Sequence, residues 1–252
     1  MRAQVNYLKA IGSALHMRAR GGRGCFDFLK NETARVFPKA VSREVCNAIV
    51  ERMEYTLADA QNRRIWRDAT GSDSRVLLFE QDIPEYLAYF DIDSCIAGID
   101  AYLGARTHSW LLMANRVIPK KGSAGSGGGL HRDSPFSHQV KCIWYLSDVG
   151  AANGPFSYVP GTHRHLIGQR ERYPLGTYRF DSVSEPLETV TAPAGSLLVC
   201  DTRAIHGGKP IVEGTRYAIT LYTFTSARSA ARLLHNSGLS PDLSVHLRRA
   251  HR

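Results

Sequence analysis

His131 and Asp133 stand two residues apart in Leu130-His131-Arg132-Asp133-Ser134-Pro135. In an extended strand successive side chains alternate faces, so the imidazole and the carboxylate point the same way and Arg132 points the other. Such a pair supplies two corners of a metal site, and a third must come from elsewhere. His206, in Ile205-His206-Gly207-Gly208, is the candidate: it follows an apolar strand and lies 206 − 133 = 73 residues further on. Two His and one carboxylate on one face of an ion, with the remaining positions open, form the donor set of non-haem Fe(II) oxygenases. The same three groups suit Zn(II), which leaves a zinc-dependent hydrolase as an alternative.

Rival motifs fare worse. His-Arg-Asp also opens the protein-kinase catalytic loop, but the Asn expected five residues after the Asp is His138, and the chain contains neither Asp-Phe-Gly nor Val-Ala-Ile-Lys. The Gly-rich run Gly122 to Gly129 lacks the Gly-Lys-Ser/Thr ending of a phosphate-binding loop and runs into a strand, so it reads as a flap or connection. His163-Arg164-His165 is a second possible metal pair, without a fitting third ligand nearby.

Ten residues after His206, Arg216 opens a strand on which Arg216, Ala218, Thr220, Tyr222 and Phe224 share one face. A buried arginine is costly unless it meets an anion. If that face lines the site, its fork can take a carboxylate in two parallel hydrogen bonds.

The elements that must position these groups change character near Ser109. Ahead of it, Pro38 to about Gln61 predicts a helix with Val45, Ile49, Met53 and Leu57 in one stripe, capped by Ser42. Ile83 to Leu103 predicts a second, with Pro84 in its first turn and Gly104 ending it. Beyond Ser109 come short β-rich runs, Trp110–Ile118, Gln139–Asp148, Phe156–Val159, Ser196–Cys200 and Arg216–Phe224, separated by turn signals. In the second of these, Val140, Cys142, Trp144 and Leu146 share a face, with Lys141 and Tyr145 on the other. Thr162–Pro186 is polar and irregular, a length that suits a lid. The expectation is one domain over 1–252: a mainly helical part over 1–108, a β sandwich or jelly-roll core over 109–225, and a basic tail over 226–252.

Composition narrows the class. The hydrophobic fraction is 43% and no run approaches the roughly 18 apolar residues of a membrane span. Five scattered cysteines without a Cys-x-x-Cys pair fit free thiols in a reducing cytoplasm. The net charge is +9, but much of it sits at the ends: the first acid is Asp27, and Ser226–Arg252 carries five Arg against Asp242. That distribution reads as solvated arms, and no nucleic-acid motif accompanies it. The first 24 residues carry Val5, Leu8, Ile11 and Leu15 at helical spacing and read as an amphipathic helix or a transit-like segment.

From about Trp110 to Phe224 the order of motifs resembles the phytanoyl-CoA dioxygenase-like family of Fe(II)/2-oxoglutarate-dependent oxygenases. The matching pieces are Leu130-His131-Arg132-Asp133, Trp144-Tyr145-Leu146-Ser147-Asp148 through Asn153-Gly154-Pro155-Phe156, and Val159-Pro160-Gly161-Thr162-His163-Arg164. Ala194-Gly195-Ser196-Leu197-Leu198-Val199-Cys200-Asp201 through His206 to Arg216 completes them. The resemblance implies a double-stranded β-helix, His131, Asp133 and His206 as iron ligands, and Arg216 on the distal carboxylate of 2-oxoglutarate. Trp144 matches a position that lines the cosubstrate pocket in some relatives, and Asn115 is taken as the upstream polar partner of 2-oxoglutarate. Gly208 departs from the pattern, since family members often carry a hydroxyl residue there. The implied reaction consumes O2 and 2-oxoglutarate and hydroxylates a small molecule. Retention of Asp133 argues against halogenation, for which relatives replace that carboxylate with a small residue. Arg164, His165, Arg170 and Arg172 in the expected lid are compatible with an anionic or sugar-like substrate. A non-catalytic basic binding module on the same fold is the rival reading.

Overall fold

In the computed structural model, residues 24–133, 139–164, 179–239 and 248–249 are described, with positions 12, 15, 16 and 19–22 ahead of them. Helix α1 (Arg43–Ala58) begins where Ser42 accepts a hydrogen bond from Val45 N at 3.3 Å. Cys46, Ile49, Met53 and Leu57 recur at three and four residues and form its buried stripe. The helix is shorter than the expected Pro38–Gln61. The long helix expected over Ile83–Leu103 is broken. Pro84–Phe90 winds as a 3-10 helix, Asp91 takes a left-handed conformation (φ 43°), and only then does α2 (Ile92–Leu103) begin. Aspartate tolerates that conformation better than most residues. The break lets Phe90 bury its ring edge-on against Trp144, centroids 5.0 Å apart.

The strands are β1 (Ala34–Phe37), β2 (Ile65–Arg67), β3 (Asp73–Leu77), β4 (Ser109–Val117), β5 (Leu130–His131), β6 (Val140–Tyr145) and β7 (Phe156–Tyr158). They continue with β8 (Arg179–Phe180), β9 (Glu188–Val190), β10 (Leu197–Asp201), β11 (His206–Gly208), β12 (Arg216–Phe224) and β13 (Arg248–Arg249). The larger antiparallel sheet runs β1-β10-β6-β12-β4-β3-β2, with β13 also on β4; the smaller runs β8-β5-β11-β7-β9. The two sheets form the double-stranded β-helix, or jelly roll, that the resemblance implied.

Period-two alternation sorts the large sheet's side chains. Trp110, Leu112 and Ala114 of β4, Val140, Cys142 and Trp144 of β6, and Ile219 and Leu221 of β12 pack with α1 and α2 in one apolar layer. The opposite face of the same strands presents Met113, Asn115, Lys141, Ile143, Tyr145, Arg216, Ala218 and Thr220 to a cavity between the sheets.

Two expectations need correction. The part expected to be mainly helical, 1–108, also supplies β1, β2 and β3 to the large sheet, because strands of three to five residues leave only faint alternation in the sequence. The basic tail is not wholly an arm: α3 (Ala227–Asn236) buries Ala230 and Leu234 against Leu111, Tyr222 and Phe224, and β13 pairs with β4. The expected amphipathic helix within Met1–Gly24 falls largely outside the described residues, as does most of the expected lid. The end of that lid returns as β8, hydrogen-bonded to β5.

A buried acid behind β4 makes stability pH-dependent. Glu80 is fully buried, and its Oε2 accepts from Leu112 N at 2.8 Å. Burial pushes its pKa up to about 7 from 4.5, against the pull of backbone hydrogen bonds. A raised acid pKa means that folding favours the protonated form, so stability is complete below about pH 4.5 and falls as pH rises toward 7. The full loss is about 3 kcal/mol. Glu80→Gln keeps an acceptor for Leu112 N and removes the titration. Melting curves are expected to show the variant several degrees above wild type at pH 8 and close to it at pH 5.

Candidate metal centre

His131 and His206 are brought together by strand pairing. β11 lies antiparallel to β5 with His206 directly opposite His131, and the two rings sit 4.3 Å apart. Asp133 follows β5, fixed by its backbone N–H donating to Thr202 O at 2.9 Å. Its Oδ1 lies 3.6 Å from His131 Nε2, and its Oδ2 lies 3.9 Å from His206 Nε2. One donor atom from each residue falls within 4.8 Å of the others. Arg132 points away, its Nη1 donating to Thr162 O and Arg203 O at 3.2 and 3.1 Å.

Hydrogen bonds orient both rings. His131 Nδ1 lies 2.9 Å from Gly129 O and His206 Nδ1 3.0 Å from Ala204 O. A carbonyl only accepts, so each Nδ1 carries the proton and each Nε2 presents its lone pair toward Asp133. Phe156 stacks on His206 with centroids 5.4 Å apart. Burial, then the neighbouring His131, push the His206 pKa down to about 3, which keeps its imidazole neutral. A metal ligand must be in that state. The donor set, the tautomers and the charge state all fit a divalent ion with open positions.

The centre opens into a cavity of about 390 Å³. Arg216 reaches it from β12, buried, with Nη2 donating to Asn115 Oδ1 at 3.2 Å and Nη1 donating to Gly154 O. Its Nε has no hydrogen-bond partner among the described residues. Beside it Asp73 accepts from Asn115 Nδ2, from Ser126 Oγ at 3.0 Å and from Arg75 Nη2 at 2.7 Å. Burial opposes the Asp73 charge, but Arg75 and Arg216 outweigh it and hold its pKa below the usual range. Arg75 spreads over the Trp66 ring, 4.8 Å from its centre. Lys141 Nζ lies 2.5 Å from Asp133 Oδ2.

Of the residues expected around the site, His131, Asp133, His206, Arg216 and Asn115 line this one cavity. Trp144 does not. It sits on the opposite face of β6, 1% exposed among the helix-packing residues; strand alternation gives the cavity its neighbours Ile143 and Tyr145 instead. The second His pair also falls away as a ligand candidate. His163 is buried with Nε2 2.8 Å from Leu29 O and Nδ1 3.2 Å from Thr33 Oγ1, and burial lowers its pKa; His165 lies outside the described residues.

Arg75, Lys141 and Ser126 line the cavity without having been read from the sequence as site residues. Arg75 shares its short strand with Asp73 and Lys141 is the charge on β6, and only their alternation phase marks them as inward. Ser126 belongs to the Gly-rich run, which packs against β11 with Gly208 N donating to Ser126 O at 3.0 Å. A Cβ at Gly208 would stand 3.0 Å from Ser126 Cβ, so Ser126 fills the space beside Gly208.

The family model for phytanoyl-CoA dioxygenase (PhyH) matches residues 34–216. Among solved structures, the epimerase SnoN in complex with Fe3+, alpha ketoglutarate and nogalamycin RO is similar at 16% identity and a TM-score of 0.58, covering 86% of this chain and 84% of that one. The carbocyclase SnoK from nogalamycin biosynthesis follows at 19% and 0.54, covering 78% and 81%. HygX from Streptomyces hygroscopicus, with nickel and 2-oxoglutarate bound, follows at 18% and 0.52, covering 79% and 85%. At these identities the likeness establishes the fold. A search of curated protein sequences returns no match. Because the family model spans most of the chain and its strands carry the centre just described, the chain belongs to the phytanoyl-CoA dioxygenase (PhyH) family and is an iron- and 2-oxoglutarate-dependent oxygenase.

Proposed function

We propose that His131 Nε2, Asp133 and His206 Nε2 hold a ferrous ion, that Arg216 grips the distal carboxylate of 2-oxoglutarate, and that the reaction hydroxylates an unactivated C–H bond of a small anionic molecule. The observation that carries this reading is the meeting of two Nε2 atoms and a carboxylate at one cavity wall, with both Nδ1 atoms committed to backbone carbonyls. The chemistry supplied there by iron, 2-oxoglutarate and O2 is oxidative: one oxygen atom enters the C–H bond, the other enters succinate, and CO2 leaves.

The chain's own part is to bind, orient and exclude water. Arg216 is held by Gly154 O and Asn115, which aims its guanidinium into the cavity with Nε to spare. A carboxylate meeting that fork forms charge-assisted hydrogen bonds in a site stripped of water. Ser126 lines the same cavity in the space Gly208 leaves, its hydroxyl donating to Asp73. Met113, Ile143, Phe156 and Ala218 give the cavity its apolar walls.

Charge favours an anionic substrate. Among the described residues Arg75, Lys141, Arg179 and Arg216 bring cationic groups to the cavity against the lining acid Asp133 and the adjacent Asp73. A ferrous dication and a 2-oxoglutarate dianion cancel, so the walls stay positive and attract a further anion. All five cysteines are free thiols, which supports a reducing compartment, the cytoplasm.

Anaerobic titration with Fe(II) and 2-oxoglutarate is the test. A weak visible charge-transfer band is expected in the wild type and absent in His131→Ala; a wild type without the band would sink the reading. Succinate release, screened across acidic and neutral metabolites, should be stimulated by acids. Gly127→Ala offers a check on geometry. Gly127 has φ 86°, and a Cβ there would stand 2.5 Å from His131 Cε1. The variant is expected to lose at least about tenfold in metal affinity while keeping its fold by circular dichroism; unchanged metal titration would contradict the placement of His131 as a ligand.

A further inference from the structure

Lys141 is a cavity cation that the preceding reading uses neither as a ligand nor to grip the cosubstrate. Lys141 projects inward from β6, its side chain 11% exposed, with Nζ 2.5 Å from Asp133 Oδ2. Its Nζ also sits 5.0 Å from the centre of the Tyr222 ring. An ammonium stripped of water keeps its charge only against an anion, and the nearest is the carboxylate that the preceding reading assigns to iron. The opposite faces of β6 make this placement specific. Cys142 and Trp144 pack under the helices, while Lys141 alone on that strand brings a charge to the cavity.

We propose that Lys141 is a positioning residue for the metal centre: it occupies Oδ2 of Asp133, so that the carboxylate meets the ion through Oδ1, and its charge shifts the centre's preference from bare metal toward metal with bound 2-oxoglutarate. The inference rests on His131, Asp133 and His206 being the ligands. Its first consequence is geometric. A carboxylate that binds through both oxygens takes a coordination position needed for 2-oxoglutarate or O2. An ammonium seated on one oxygen prevents that and leaves the facial three-ligand arrangement.

The second consequence is electrostatic. Two neutral imidazoles and one carboxylate around a dication leave a net charge of +1, to which Lys141 adds another at close range. In a buried cavity that charge repels an incoming metal ion and attracts a dianion. The two effects have opposite signs.

That opposition supplies the test. Lys141→Met keeps an unbranched stem and removes the charge. Calorimetric titration of the apo-protein with Mn(II), followed by titration of the Mn(II)-loaded protein with 2-oxoglutarate, reads both affinities without turnover. Mn(II) affinity is expected to rise about tenfold and 2-oxoglutarate affinity to fall about tenfold, with Lys141→Arg returning both toward wild type. If the Met variant fails to fold, Lys141→Gln, which keeps a donor for Oδ2, is expected to give the same pair of opposite shifts. Two affinities falling together would reveal a merely structural lysine, and two unchanged affinities would remove its role; either overturns the proposal. A wild type that binds no Mn(II) would instead overturn the ligand assignment beneath it, and the two failures are thereby distinguished.

Discussion

His206→Ala is expected to lose turnover to background and at least about 100-fold in metal affinity. Structural zinc sites with four ligands release about 10–16 kcal/mol on binding, so each ligand carries roughly 3 kcal/mol, or a factor of 100 or more. Among the described residues His206 has no local substitute. It is buried, its ring is held by Ala204 O and stacked on Phe156, and it enters the centre from a strand opposite His131. His163→Ala is the informative control. His163 is as buried as His206, but its nitrogens meet Leu29 O and Thr33 Oγ1. That variant is expected to lower the melting temperature by leaving buried polar groups unpaired, with metal affinity unchanged. Metal titration and melting of the two variants, side by side, decide the matter: equal loss of metal in both would show that the effect is unfolding.

Arg216→Met is expected to raise the KM for 2-oxoglutarate about 100-fold, with metal affinity largely preserved. Truncating one partner of a desolvated, hydrogen-bonded charge pair costs about 2–5 kcal/mol, a factor of roughly 30 to several thousand. Arg216 is built for such a pairing, since Gly154 O and Asn115 Oδ1 take only part of its donor capacity and Nε is left over. Asp73 loses a neighbouring cation in the same variant but keeps Arg75. The protein should therefore fold. Arg216→Lys restores the charge without the fork and should recover only part of the loss. An unchanged KM for 2-oxoglutarate in a folded Met variant would remove Arg216 from the cosubstrate site.

The contrast between Trp144 and Lys141 marks where sequence reading stops. Both lie on one strand, and alternation separates them without ambiguity into two faces. Which face looks inward depends on where α1 (Arg43–Ala58) and α2 (Ile92–Leu103) pack, information carried by residues well outside the strand itself. Resemblance suggested Trp144, whereas packing under Phe90 takes that ring out of the cavity. The helix break at Asp91 escaped notice for a similar reason: the apolar pattern from Ile83 to Leu103 runs on through a turn that tertiary contacts impose. Strands β2 and β3 were missed because three to five residues carry too little periodicity, and with β3 went Asp73 and Arg75.

By itself the sequence offered the candidate donor set. His131 and Asp133 share a side because a strand has period two, His206 follows an apolar strand and Arg216 opens another. Those are local facts of backbone geometry and residue chemistry. Only the tertiary structure decided that β11 pairs with β5 in the register that sets His206 against His131, that Ser126 fills the space beside Gly208, and that Lys141 meets Asp133. Each of these joins segments distant in the chain, where sheet order and packing, rather than any neighbour in sequence, place the atoms.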